Sequence, residues 1–316
     1  MTTFMDRLEQ YVADRRRYGG NWTGVETYLR PFATFADAEG AEWITVQLFL
    51  QWKDRPGAAG TTTWAIRESA VRGFAAWLKA IDPRTEVPPQ GLLQKRSQRP
   101  PPYIYSDDEI VQIVTEAARL RSPLGLRGKT HATLFGLLAV TGLRLNEALG
   151  LDDRDVDLDA AVLHVRSAKN GKSRFVPVTG CTVCGLAAYR DERNRALATA
   201  PPAFFTGENG NRLIARTAQR NFAMVGQEIG LRKKQAGKQK SGWGPRIHDL
   251  RHSMATKTII DWFRQGRHLD HEMYKLSTYL GHVNPGGTYW YIEAVPELLQ
   301  LVSERAERSF RSGERS

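Results

Sequence analysis

AVLHVRSAKNGKSRFVPV, residues 161–178, alternates apolar and polar positions on either side of Asn170-Gly171, in a chain whose other patterned stretches repeat at helical spacing. A period of two sends alternate side chains to opposite faces of a strand, and Asn-Gly accepts the positive φ of a tight turn. The stretch therefore predicts an antiparallel β-hairpin with Lys169 and Lys172 flanking its tip. Set among helices, it predicts a mainly α fold with a small antiparallel β-hairpin or sheet.

On the N-terminal side of the hairpin, HATLFGLLAV (131–140) predicts a long apolar helix ending at Thr141-Gly142. A short helix follows in LRLNEALGL, with Arg144 and Glu147 one turn apart on one face. Ser106 and Glu109 form a capping box before Ile110, Ile113 and Val114. Beyond the hairpin, residues 186–200 and 215–230 read as helices, and PRIHDLRHSMATKTIIDW starts another after Pro245.

Residues 1–81 predict a separate helical domain of four or five helices, around Phe4 to Tyr18, Val25 to Ala38, Val46 to Trp52, and TTTWAIRESAVRGFAAWLKAI. In the last of these, Ile66, Ala70, Phe74, Trp77, Leu78 and Ile81 form one apolar stripe, with Arg67, Arg72 and Lys79 off it. Residues 82–104 hold six prolines and a basic run, which predicts an extended linker. The second domain then covers 105–316.

Composition narrows the partner. Lys and Arg number 45 against 34 Asp and Glu, a net charge of +11 in 316 residues, which points to a polyanion, with nucleic acid ahead of a membrane surface. Scattered solvated charge is the ordinary alternative. Between Leu231 and Ile247 the chain places Arg232, Lys233, Lys234, Lys238, Lys240 and Arg246 with no acidic residue, and its glycines predict a basic DNA-binding loop. Cys181 and Cys184 form a single C-x-x-C, too few ligands for a closed zinc site, and read as a helix start with two buried thiols. So few cysteines fit a reducing cytoplasm, and the first residues show neither a signal peptide nor a membrane span.

The residues that carry chemistry are dispersed. His248 and Arg251, three apart, share a helix face; Arg144 follows Thr-Gly; Lys169 sits by a hairpin tip; His282 ends a Leu-Gly turn; Tyr289 and Tyr291 follow it. Each has an ordinary reading alone: Arg144 paired with Glu147 on a surface, Lys169 and Lys172 as solvated hairpin charges, His248 and His252 as core histidines. Together, in this order, they are far less readily an accident than any one of them alone.

TGLRLNEALGL, HDLRH, LGHVNPGGTYWY and the hairpin SAKNGKSRFVPV together resemble the tyrosine recombinases, the phage integrase family. The resemblance covers residues from about 104 to the end and, more loosely, the front domain, which is similar to that family's core-binding domain. It implies a site-specific recombinase that cuts and rejoins double-stranded DNA through a 3′-phosphotyrosyl link, with no cofactor, no ATP and no metal. By the same resemblance Arg144 and Arg251 clamp the phosphoryl oxygens, Lys169 protonates the leaving 5′ oxygen, and His248 assists proton movement. His282 donates a hydrogen bond to the phosphate, Tyr291 is the nucleophile, and Glu147 supports from behind. The nine-residue step from His282 selects Tyr291 over Tyr289, since residues two apart do not share a face.

The resemblance further implies a homotetramer on two DNA sites, a monomer without DNA, helper recombinases, no membrane, and a place in the bacterial cytoplasm with the nucleoid. The tail PELLQLVSERAERSF, with Leu298, Leu299, Leu301 and Val302 on an apolar side, is expected to dock on a neighbouring protomer. The stretch DWFRQGRHLDHEMYKLST makes the step from Arg251 to His282 longer than is usual in the family, so an extra turn or loop is expected there. TYWYIEAVPELL is more similar to recombinases of transposons and other mobile elements than to chromosome-dimer resolvases. Two alternatives remain at this level: a type IB topoisomerase-like enzyme, which would relax plasmid lacking any specific site, and a catalytically inactive DNA-binding accessory protein, which would form no covalent adduct.

Overall fold

The computed structural model describes residues 2–18, 23–55, 61–93, 102–166, 173–233, 244–281, 291, 300 and 303. The chain divides into two units, Met1–Pro100 and Pro101–Ser316. Unit 1 consists, among the described residues, of α1 (Phe4–Arg17), α2 (Thr23–Ala38), α3 (Val46–Lys53) and α4 (Thr61–Lys79). A Thr3–Asp6 capping box opens α1, and Thr45 caps α3 through the Leu48 N–H. Leu8, Leu29, Phe32, Phe49, Val71 and Phe74 form the centre of its core.

The face that α4 buries differs from the expected stripe. Ile66 and Ile81 are exposed, and the inward residues are Trp64, Glu68, Val71, Phe74, Ala75 and Leu78. Trp64 is the cause: its ring meets Trp52 edge-on at 4.9 Å and Phe49 at 6.5 Å, an aromatic burial larger than any Ile66 offers. Arg67 then lies over the rings of Trp52 and Trp64. Glu68 is buried by design of its partners, accepting the backbone N–H groups of Gly91, Leu92 and Leu93 at 2.9, 3.2 and 3.2 Å. Glu86 is likewise tied to α3, its N–H donating to the Ile44 carbonyl at 2.8 Å and its carboxylate accepting from Val46 N–H at 2.7 Å. These bonds fasten part of the proline-rich stretch to unit 1.

Unit 2 is built around α6 (Leu126–Thr141), which follows α5 (Asp107–Ala118) and packs against it. The Ser106–Glu109 capping box forms as the sequence predicts. Helix α6 is buried on nearly all sides, as the apolar run from Leu134 to Val140 favours, and stops at Gly142 with φ +61°. Next come α7 (Leu145–Leu149), a 3-10 turn (Asp153–Asp155), β1 (Val156–Asp157), β2 (Val162–Val165) and β3 (Arg174–Pro177). They form a three-stranded antiparallel sheet in the order β1-β2-β3. Leu163, Val165 and Val176 face the core, while Phe175 is exposed and stacks on His164.

The ladder register revises the turn. An unbulged two-residue turn at Asn170-Gly171 would pair Val165 with Val176, whereas Val165 pairs with Arg174. The tip, residues 167–172 with Lys169 and Lys172, lies outside the described residues.

After the sheet, α8 (Gly180–Leu197) and α9 (Ala215–Glu228) lead to α10 (Asp249–Arg264) and α11 (Leu269–Leu280). The two cysteines start α8 as expected, but both are exposed, because Leu186, Tyr189 and Arg193 take the inward face. The long step from Arg251 toward His282 is accommodated by the rest of α10, a turn through Gly266, and α11. Among the described residues no helix is long and apolar enough to cross a membrane, and no group of three His, Cys, Asp or Glu side chains could hold a metal ion.

Candidate active site

The site forms around the end of one helix. The last carbonyls of an α-helix have no partner within it and carry the negative end of its dipole. At α11 these are the carbonyls of Tyr279 and Leu280, followed by Gly281 at φ +67°. Three arginines meet them. Arg174 donates through Nε to the Tyr279 oxygen at 2.8 Å, and Arg251 through Nη2 to the Leu280 oxygen at 2.8 Å. Arg144 donates to the Leu280 oxygen at 3.5 Å and the Gly281 oxygen at 3.2 Å. Gly281 is required there twice over: its backbone is left-handed, and an added Cβ would sit 2.7 Å from Arg174 Nη1.

Glu147 binds two of these cations from behind. As the N3 residue of α7 its carboxylate accepts from the Arg144 N–H at 3.0 Å, and Arg144 Nη1 donates to it at 2.8 Å. Arg174 adds two further bonds, at 3.2 and 2.8 Å. Burial alone would push this carboxyl up, but the Arg174 and Arg144 hydrogen bonds overcome it and hold its pKa at about 2. Arg144 retains 27% exposure of its side chain, so its guanidinium is the cation open to an incoming group.

Arg251 lies deeper, on α10. Its Nη1 donates to the Gly142 carbonyl at 2.6 Å, where α6 ends, and its guanidinium bonds to the Tyr291 hydroxyl. A guanidinium only donates, so the tyrosine oxygen is the acceptor. Burial first, and the charge of Arg144 second, bring the Arg251 pKa down to about 10. It remains a cation at neutral pH, in a place where a further anion would be welcome.

His248 is the N-cap of helix α10, and the carboxylate of the next residue, Asp249, accepts the Arg246 N–H at 2.7 Å. One turn on, the His252 ring meets that of His248 at 4.8 Å and that of Tyr291 at 5.4 Å, both edge-on. Burial, with the Arg251 charge next, lowers the pKa of His248; burial, then His248, lowers that of His252 to about 4. Both are neutral at physiological pH and able to accept a proton. Tyr291 is itself buried, within the apolar cluster of Ile259, Leu276 and Leu280.

The structure thus brings together Arg144, Glu147, His248, Arg251 and Tyr291 from three distant stretches of chain. His282, Tyr289, Lys169, Lys172, Lys234, Lys238 and Lys240 lie outside the described residues. Lys233 is exposed. Arg232 is used locally: its N–H donates to the Gly226 carbonyl at 2.8 Å and its Nη1 to the Pro245 carbonyl at 2.9 Å, fastening the end of α9 to the start of the next segment. Arg174 was not singled out by sequence, and His252 only as a core histidine. The alternation of the hairpin locates Arg174 on a strand but says nothing of Glu147 or Tyr279.

Comparison with known proteins agrees with this geometry. The family model described as the phage integrase family matches residues 104–297. The protein y4rB of Sinorhizobium fredii, described as a candidate integrase/recombinase, is 41% identical, with 98% of each chain covered. The tyrosine recombinase XerC of a Mycobacterium species is 31% identical, over 82% of this chain and 86% of the relative. Among solved structures, the XerH site-specific recombinase bound to palindromic difH in a post-cleavage complex aligns with a TM-score of 0.66. That alignment covers 94% of this chain and 84% of the other at 17% identity, and so speaks for the fold. With its motif arginines and tyrosine gathered on one helix end and its sequence matched over almost its whole length, the chain belongs to the phage integrase family of tyrosine recombinases, enzymes that cut and rejoin DNA.

Proposed function

We propose that Tyr291 is the nucleophile of a site-specific recombination reaction and that Arg144 and Arg251 hold the phosphate it attacks. The observation that carries this reading is the bond between the Tyr291 hydroxyl and the Arg251 guanidinium, beside Arg144. A free phenol with a pKa of about 10 is a poor nucleophile at neutral pH. Because its oxygen accepts from Arg251, its own proton is left for another acceptor, and the adjacent charge favours the phenolate. His248, neutral and one turn from Arg251, is suited to take that proton.

In the first step the Tyr291 oxygen bonds to phosphorus and the bond from phosphorus to the 5′ oxygen breaks. The electron pair leaves on that oxygen, which Lys169 protonates. Arg144 and Arg251 stabilise the added charge on the nonbridging oxygens, worth several kcal/mol where water is excluded. Reversal by a 5′ hydroxyl from another duplex rejoins the strand. Lys169 and His282 are assigned by resemblance, His282 as a further donor to the phosphate.

Double-stranded DNA is the partner in this reading, bound by unit 1, by the catalytic unit 101–316 and by the 231–247 segment. The palindromic substrate of XerH presents two equal half-sites, so two protomers per site and four per pair of sites follow for this chain. The tail from 297 onward would link neighbours, and deleting it should spare single-site binding and abolish synapsis. Helper recombinases of a mobile element fit the same assembly, in a cytoplasm shared with the nucleoid.

The test is covalent capture. Genomic fragments enriched by the wild-type protein, rebuilt as nicked suicide duplexes, should leave an adduct that peptide mapping locates at Tyr291. An adduct at Tyr289, or one formed by Tyr291→Phe, would overturn the assignment.

A further inference from the structure

Arg174 is nearly buried, with 12% of its side chain exposed, and every bond it makes leads to the catalytic constellation without reaching the substrate side. Its Nη1 and Nη2 take both oxygens of Glu147, its Nε takes the Tyr279 carbonyl, and its guanidinium fills the space beside Gly281. Glu147, Leu280 and Gly281 are the residues whose acceptors orient Arg144, at 2.8, 3.5 and 3.2 Å. A planar, forked donor is needed for this geometry: it must span a carboxylate and a carbonyl at once, which a lysine ammonium does not.

We propose that Arg174 is a positioning residue for recombination, holding Arg144 in its phosphate-binding orientation through shared contacts with Glu147 and the Tyr279–Gly281 turn. With Arg174 engaging both carboxylate oxygens, Arg144 makes a single side-chain bond to Glu147 and donates its other bonds to the Leu280 and Gly281 carbonyls. Without Arg174, Glu147 would be a buried carboxylate facing one cation, and the favoured response is a two-pronged pairing that pulls Arg144 inward. The same loss frees the α11 end on which Arg144 and Arg251 both depend. Arg174 stands on β3, the strand that returns from the Lys169 tip, so the hairpin and the arginine pair are held by one side chain.

This inference rests on the recombinase reading, and the experiment separates the two. The probe is the nicked suicide duplex captured by wild-type protein. A wild type that forms no Tyr291 adduct would break the functional reading, and with it this one. Given wild-type capture, single-turnover cleavage is timed at saturating protein for Arg174→Lys, Arg174→Gln, Glu147→Gln and the Glu147→Gln/Arg174→Gln double variant, alongside dissociation constants from gel shifts.

The expected result is a rate constant lowered about 100-fold in Arg174→Gln, with DNA affinity within about threefold of wild type, the size expected for a mispositioned phosphate ligand. Arg174→Lys should fold normally and still be slow. The double variant should be no slower than the slower single variant, because both act through one contact. A merely structural Arg174 would lower the amplitude, the fraction of folded protein, and leave the rate constant unchanged. The proposal is overturned by wild-type rate constants in Arg174→Lys, or by multiplying losses in the double variant. If Arg174→Gln does not fold, the Arg174→Lys rate constant decides.

Discussion

Two groups of arginines lie within unit 2, and they differ in how many carboxylates stand against them. Arg166 donates to Asp152 at 2.6 Å and Asp155 at 2.5 Å; Arg190 and Arg193 share Asp153 at 3.2 and 2.8 Å; Arg212 also pairs with Asp152. Each of these cations has a carboxylate, and the group fastens the 3-10 turn and β1 to α8 and to residues 203–212. Around α11, Arg144 and Arg174 share the single carboxylate of Glu147, and Arg251 donates to the Gly142 and Leu280 carbonyls. The electrostatic outcomes differ in sign: Asp155, then Asp152, raises the pKa of Arg166, while burial and Arg144 lower that of Arg251 to about 10. Carboxylates neutralise charge for structure. One carboxylate among three cations leaves positive charge unspent, the sign that an anionic substrate would meet.

The largest effect that would test this contrast is at the proposed nucleophile. Tyr291→Phe should bind DNA as wild type does and lose covalent adduct by more than roughly 10⁴-fold, the scale of nucleophile removal, with adduct measured on denaturing gels. An adduct retained by that variant would remove the α11 group from the chemistry. Next, Arg251→Gln should slow cleavage by about 10²–10³-fold in single-turnover assays. Its cost in urea unfolding should be smaller than that of Arg193→Gln, since removing Arg251 relieves repulsion with Arg144 while removing the buried Arg193 takes bonds from Asp153 and from the Ala203 and Phe204 carbonyls, at about 1–3 kcal/mol. Equal costs would mean that both groups are structural.

Acid should separate the groups through the imidazoles. His252 is held near 4 by burial and by His248, against an ordinary 6.5, so the unfolded chain takes up a proton that the folded one refuses. Stability is therefore complete above about pH 6.5 and falls as pH drops toward 4. Replacing His252 with Gln should flatten urea-unfolding midpoints over that window, and an unchanged slope would place the titration elsewhere. Gly281→Ala should cost about 1 kcal/mol for its left-handed backbone, and cleavage should slow about tenfold as Arg174 is displaced. The smallest effect belongs to neither group: Lys233→Ala should lower the salt dependence of DNA binding by about one counterion in a gel-shift titration.

Local chemistry made much of this architecture readable. The Ser106–Glu109 capping box, the stop of α6 at Gly142 and the pairing of Arg144 with Glu147 depend on residues three or four apart, and those forces act wherever the chain goes. The face of α4 was misread because Ile66 and Trp64 are both apolar, and only the neighbouring Trp52 and Phe49 decide which turns inward. The hairpin's strands were legible from alternation, but its register was not: Val165 meets Arg174, set by how β3 docks against α11 and the core. The exposure of Cys181 and Cys184 was likewise fixed by Tyr189 and Arg193 claiming the buried side of α8.

By itself the sequence determined the helical character of the chain, its hairpin, its positive charge, and the order of motifs that marks the family, because composition, periodicity and short spacing are properties of neighbours along a chain. Tertiary structure alone decided that the carbonyls of Tyr279 and Leu280 would gather arginines from α7, β3 and α10. A helix end has a charge that no residue type encodes, and its partners lie as far as 136 positions away. Arg174, a basic residue on a short strand, acquires its place in the site only when that strand comes to lie beside the helix end.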